Sequence, residues 1–208
     1  MSPRGIAIPD PRERLFAAAE RVLSREGPAA LTSRAITTEA GCAKGLLHAH
    51  FDGLDEFVAE LALDRLARTA RQAAELPGRA GRATVAGNLV SVALALLGSL
   101  EPAVIGLAMT RSGAALRIRR ALETGAPGFA AMQDAITEYL DAERRLGRLA
   151  DGTDTATVAL ALVGTLHHLL MTSWAGAPHP REPAERLITL LIGTGSGGAE
   201  DARSAPPG

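Results

Sequence analysis

Apolar residues recur at three- and four-residue spacing along most of the chain, the period of a helix with one buried face. Leu15, Phe16, Ala19, Val22 and Leu23 mark the first such stretch. It opens on Asp10-Pro11-Arg12-Glu13, which places an N-cap aspartate before a proline at the first helical position and a glutamate three residues after the cap. Gly27-Pro28 closes it. Phe57, Val58, Leu61 and Ala62 predict a long helix from Leu54 to about Leu76, stopped by Pro77-Gly78. Twenty-odd residues at 1.5 Å each make a rod of roughly 30 Å. Ala83 to Leu100 carries no formal charge. Asn88, Ser91 and Ser99 make it only moderately apolar, which suits a helix buried in a bundle better than a membrane span. Pro102 starts the next helix, with a break near Ser112-Gly113 before Arg117, Arg119 and Arg120, an arginine cluster expected to face solvent. Phe129, Met132, Ile136, Tyr139 and Leu140 predict a helix to about Arg145. A second charge-free helix runs from Asp154 or Thr155 to Trp174. A last one, from about Pro183 to Gly193, has Leu187, Ile188, Leu190 and Leu191 on an apolar face. Strand-like alternation is scarce, so the expected fold class is all-α.

The stretch Leu31–Phe51, LTSRAITTEAGCAKGLLHAHF, has a different character. It predicts two short helices around a tight turn. The first spans Ser33 to Ala40 behind a Thr32 N-cap. Gly41 follows, where a left-handed backbone costs glycine nothing. The second spans about Ala43 to Ala49. Leu31, Ile36, Ala40, Cys42, Leu47 and Phe51 are spaced to meet on an inner face. Ser33, Arg34, Lys44, Gly45, Leu46, His48 and His50 are left for the outer one. This is the layout of a helix-turn-helix, whose second helix enters the DNA major groove. With the bracing helix before it, residues 1–53 are expected to form a three-helix DNA-binding domain behind a mobile arm, Met1 to Pro9. Residues 54–193 would form a larger helical-bundle body of about six helices. Residues 194–208, rich in glycine, serine, alanine and proline, read as a disordered tail.

Charge and chemistry sharpen this picture. A net charge of -1 argues against non-specific coating of nucleic acid or of an anionic membrane. From Met1 to Phe51, however, seven Lys or Arg face five Asp or Glu, and the only lysine of the chain, Lys44, lies near the start of the second motif helix. Arg12, Arg14, Arg21 and Arg25 read as a solvated face of the first helix. The single cysteine, Cys42, rules out an internal disulfide and suits a reducing compartment. No apolar stretch follows Arg4 to make a secretory signal, so a cytoplasmic location is expected. His167 and His168 are adjacent, point about 100° apart on a helix and do not chelate one metal. No nucleophile elbow, phosphate loop or dinucleotide fingerprint occurs. No enzyme activity, cofactor or metal site is expected.

The first helix, the stretch LTSRAITTEAGCAKGLLHAHF, the following FDGLDEFVAEL and the later GRLADGTDTATVALALVG resemble the TetR family of one-component transcriptional regulators. The resemblance implies that the second motif helix reads double-stranded DNA. Lys44 would meet a phosphate or a guanine edge. Thr32, Ser33 and Arg34 would hold phosphates. Ala43 and Gly45 would lie beside the DNA, glycine letting the backbone come close. His48 and His50 would lie against the sugar-phosphate backbone. The chain departs from the family at position 48, usually tyrosine, at position 46, often threonine or serine, at Thr37, where alanine is usual, and at Ala49, which lacks a polar side chain. Leu46 offers only an apolar contact, for example to a thymine methyl. The resemblance further implies a homodimer, its last two helices pairing into a four-helix bundle, bound to a palindromic operator. It implies a pocket for a small-molecule effector, with Met109, Phe129, Met132, His167, Met171 and Trp174 as candidate lining and a mostly apolar compound as the guest. The expected function is a repressor released by that ligand. The alternative is a ligand- or partner-binding helical dimer whose head no longer binds DNA specifically.

Overall fold

Asp10 starts the first helix as its sequence requires. Its carboxylate accepts a 3.1 Å bond from the Glu13 amide, and Pro11 occupies the first turn of α1, Pro11–Glu26. Gly27, at φ +79°, ends α1 by returning its N–H to the Leu23 carbonyl. The same arithmetic of apolar period, cap and breaker sets the helices that follow, in a computed structural model that describes residues 10–99, 102–172 and 180–193. The expected arm Met1–Pro9, the candidate Trp174 and the expected tail 194–208 lie outside the described residues. After α1 come α2 (Ser33–Glu39), α3 (Leu46–His50), α4 (Leu54–Ala74), α5 (Val85–Ser99), α6 (Pro102–Thr110), α7 (Ser112–Glu123), α8 (Phe129–Arg145), α9 (Thr155–Thr172) and α10 (Arg181–Gly193), with short 3-10 turns at Pro28–Ala30 and Pro77–Arg79. The described residues contain no strand. The fold is all-α, with an N-terminal helix-turn-helix head and a helical body.

Two boundaries differ from the sequence reading. The second motif helix starts at Leu46 rather than near Ala43, because Ala43 to Gly45 form a turn in which the Leu46 amide bonds the Ala43 carbonyl at 2.9 Å. Residues 102–123 form two helices, broken at Arg111, whose backbone is extended. The chain therefore has ten α-helices among the described residues, where about nine were expected.

The helices fall into two compact units. One comprises residues 1–63 and 103–124, the other residues 64–102 and 125–208, so α4 contributes to both. In the first, Phe16, Phe51 and Phe57 pack ring against ring, with centroids 5.0 to 5.7 Å apart. Leu15, Ile36, Leu47, Val58 and Leu61 complete the core, and Val104, Leu107, Ala108 and Ala114 join it from α6 and α7. The first turn of α4 is clamped from that side. The Arg111 guanidinium lies 2.5 Å from the Asp55 carboxylate, and Arg117 lies 3.6 Å from Glu56. Glu56 also accepts a bond from the Asp52 backbone amide, which would otherwise be free ahead of the helix. Gly113 permits this approach, since a Cβ there would collide with Asp55 Oδ2.

In the second unit, α8 packs on α9, and α10 on α5 and α9. Asp154 caps α9, accepting from the amide and hydroxyl of Thr157, bonds that hold its carboxyl below the usual range. A polar cluster is buried beside α8. The Asn88 amide donates to the Arg82 carbonyl and to the Tyr139 hydroxyl, both at 2.9 Å. Burial, with Glu143 one turn on, pushes the Tyr139 phenol up to about 12. The Glu143 carboxylate is fully buried; it accepts from the Gly81 amide at 3.3 Å and faces the Arg148 guanidinium at 3.3 Å.

Candidate nucleic-acid interface

Thr32 and Gly41 bracket α2 by side-chain and backbone chemistry respectively. The Thr32 hydroxyl accepts from the Ala35 amide at 3.1 Å, which satisfies one donor of the first turn. Gly41 adopts φ +60°, and the next residue turns back so that the Cys42 amide bonds the Thr37 carbonyl at 3.0 Å. The chain then runs through the Ala43–Gly45 turn into α3. Leu31, Ile36, Ala40, Leu47 and Phe51 are all buried, and Cys42 is half-buried with its thiol 3.6 Å from the Thr37 carbonyl. Thr37 is buried as well, which the apolar pattern did not indicate. Its hydroxyl donates to the Ser33 carbonyl at 2.9 Å, so its polar atom costs little to bury.

The arginines of α1 are more than a solvated face. Arg14 Nε donates to the Ala40 carbonyl at 2.7 Å, a cation on the free carbonyls that end α2. Arg21 and Arg25 both hold Glu39, at 2.7 and 3.0 Å, and these bonds, that of Arg21 first, lower the Glu39 carboxyl below its ordinary value. Arg12 pairs with Glu60 at 2.6 Å and lies 4.6 Å from the centre of the Phe51 ring. Arg14, Arg21 and Arg25 thus fix α2 against α1, and Glu39, the one carboxylate between Thr32 and His50, is neutralised locally.

What remains outward is a surface of donors and small apolar groups. Thr32, Arg34, Ala43, Lys44, Gly45, His48 and His50 are exposed; Ser33 and Leu46 are half-buried. Thr38 and Ala49 are exposed beside them and were not among the candidates read from the sequence. Period alone could have nominated both, since each lies one or two residues from the buried positions Ile36, Thr37, Ala40 and Leu47. Such a surface can meet phosphate oxygens and base edges but carries no carboxylate to repel them.

The candidate effector residues have different surroundings. Phe129 and His167 meet edge to face, ring centroids 4.9 Å apart. Met132 is buried in the core, whereas His167 and Met171 are exposed on α9. Met109 belongs to the compact unit of the motif and is 65% exposed. It lines an open groove of about 570 Å³ along α6 and α7, with Ala115, Leu116, Ile118, Leu122 and Arg119.

Residues 15–61 match the family model of bacterial regulatory proteins of the tetR family. No curated protein matches the chain in sequence. Among solved structures, Escherichia coli NemR in its reduced form is similar at 17% identity and TM-score 0.66, over 90% of this chain and 100% of that one. FadR from Bacillus subtilis, in complex with stearoyl-CoA, is similar at 18% identity and TM-score 0.61, over 86% and 97%. The TetR-family regulator PfmR from Thermus thermophilus is similar at 16% identity and TM-score 0.58, over 86% and 97%. The buried face of the motif, its outward groups and the helix order beyond it thus have one common reading: residues 15–61 form a helix-turn-helix head that matches the tetR family of bacterial regulatory proteins, and the chain has the fold of solved TetR-family regulators.

Proposed function

We propose that the protein is a cytoplasmic, homodimeric repressor that binds a palindromic operator and is released from it by a small, mostly apolar ligand. The observation that carries the reading is the carboxylate-free outer surface of the motif, Thr32 to Arg34 and Ala43 to His50, above a fully packed inner face. Thr32, Ser33 and Arg34 are assigned to phosphates. Lys44 is assigned to a phosphate or a guanine edge. Ala43, Gly45 and Leu46 lie nearest the bases, and His48 and His50 take the sugar-phosphate backbone. Residues 1–53 are the DNA-binding part and residues 54–193 the dimerising and ligand-binding part of this scheme.

A single head makes few contacts, and two heads related by a two-fold axis match a palindrome. The helix that favours pairing is α9. It has no charged side chain, it is long and apolar enough to cross a membrane, and only 33% of it is buried within the chain. Leu160, Gly164, His167 and Met171 lie on its outward side, and Leu190 on that of α10. A second copy covering this surface accounts for an uncharged yet exposed helix, since obligate interfaces resemble a core cut in two. A ligand acts by preferring a conformation whose heads no longer fit the half-site spacing. An apolar guest is favoured by the apolar lining around Met109 and Leu116, and by the acyl-CoA held in the similar fold of the Bacillus subtilis protein.

The test is binding of the purified protein to DNA upstream of its own gene, followed by fluorescence anisotropy. Saturable binding should weaken steeply with salt. Lys44→Ala should weaken it about tenfold and lower the salt slope by about one. Unchanged affinity and slope would remove Lys44 from the interface, and an absence of saturable binding would leave the helical dimer without a DNA role. Sedimentation should show a dimer whose dissociation follows substitution of Leu160 or Met171 by aspartate.

A further inference from the structure

The outer surface of the motif is poor in the side chains that usually discriminate base pairs. Bidentate reading of a guanine edge uses arginine or lysine, of which the motif beyond Arg34 offers only Lys44; that of an adenine edge uses asparagine or glutamine, and reading of cytosine N4 a carboxylate. From Ala35 to His50 there is no Arg, Asn or Gln, and the one carboxylate, Glu39, is held by Arg21 and Arg25. On α3 itself, Leu46 and Ala49 lie three residues apart and so share one strip of the helix surface. Leu46 rests partly on the core and is otherwise uncovered; Ala49 is exposed. Lys44, on the turn that leads into α3, and His48, on the helix itself, are both exposed and bring point donors suited to a purine N7 or a phosphate.

Resting on the DNA-binding reading above, we infer that the half-site is specified mainly by thymine C5-methyl groups packed against Leu46 and Ala49. In the major groove only thymine presents a methyl group, and an apolar strip gains from burial there and nowhere else on the base edges. The operator half-site therefore carries one or two thymines opposite this strip, and the polar groups set register on the duplex and name at most one further base, a guanine met by Lys44.

The experiment starts from selection of bound sequences out of random duplexes with the full chain. Each thymine of the selected half-site is then replaced in turn by deoxyuridine, which removes the methyl and leaves the pairing edge intact. Loss of affinity of about fourfold at one or two positions is expected, the worth of one buried methyl group. Leu46→Ala should erase that thymine-to-uracil ratio at its position, whereas Lys44→Ala should preserve it. Ala49→Asn, at an exposed position that does not disturb the core, should shift the selected base toward adenine, whose N6 and N7 an amide can bond. Binding indifferent to every methyl, or a ratio that survives Leu46→Ala, overturns this assignment while leaving the regulator intact. Failure to bind any duplex overturns the DNA-binding reading itself, and this one with it.

Discussion

Leu47→Ala should unfold α3 and, on the proposed function, abolish specific DNA binding. Helix α3 has five residues, far too few to be stable by itself. Leu47 is its one fully buried side chain, and Phe51, which closes it, is held by Phe16 and Phe57. Truncation of a buried leucine costs about 2–5 kcal/mol, the loss of transfer energy plus that of a cavity. On α3 only the half-buried Leu46 shares this anchoring, so the loss falls on the helix that carries His48 and on the Lys44 turn that leads into it. Thermal unfolding should shift down by several degrees, and anisotropy titrations should retain only weak, salt-dependent binding. Leu47→Met, which conserves volume, should cost under about 1.5 kcal/mol and keep operator binding. Equal behaviour of the two variants would show that α3 is held by something other than its leucine.

The second large effect is expected far from the motif in sequence. Arg148→Ala should destabilise the unit of α5, α8, α9 and α10 by about 3 kcal/mol, the lower end of what an uncompensated buried charge costs. The lower end applies because Arg148 is itself partly exposed. One Glu143 oxygen accepts from the Gly81 amide, while the other makes no hydrogen bond and has the Arg148 guanidinium as its ionic partner. Arg148 also donates to the Ala83 carbonyl, so the same side chain secures the segment between α4 and α5. Glu143→Gln in the Arg148→Ala background removes the stranded charge and should restore much of the stability. Denaturant midpoints of the two single variants and the double would show it. A single-variant cost below about 1 kcal/mol would mean that the carboxylate is satisfied by other groups once its partner is gone.

These two positions illustrate how far the sequence could be read. Leu47 was legible because the motif concentrates local rules in a short stretch: a Thr32 cap, a left-handed Gly41 and apolar residues at helical spacing. Helix α8 was legible to its ends, Phe129 and Arg145, for similar reasons. Glu143 was not. In the run Asp141-Ala-Glu-Arg-Arg it looks like one more solvent-facing charge, and one partner, Gly81, is 62 residues away. Arg14 posed the same difficulty, since its acceptor is a backbone carbonyl 26 residues on, and carbonyls leave no trace in composition. The start of α3 was placed too early because alanine, lysine and leucine all favour helix, whereas the Ala43–Gly45 turn is set by how α2 and α3 pack. Residues 102–123 were read as one interrupted helix. Their division at Arg111 follows from Asp55, whose carboxylate draws the guanidinium, and from Gly113, where a side chain would strike that carboxylate.

The solitary lysine has a practical consequence. Apart from the amino terminus, Lys44 is the one amine in 208 residues, and it stands exposed on the turn that leads into α3. An amine-directed acylating reagent therefore modifies the side chains of this protein at one point, and at that point it erases a positive charge. On the proposed DNA-binding reading, isotope-coded labelling with and without duplex DNA reduces to a single side chain whose protection reads occupancy, and an enzymatic acetyl transfer to that amine would lower DNA affinity without a competing lysine in the sequence.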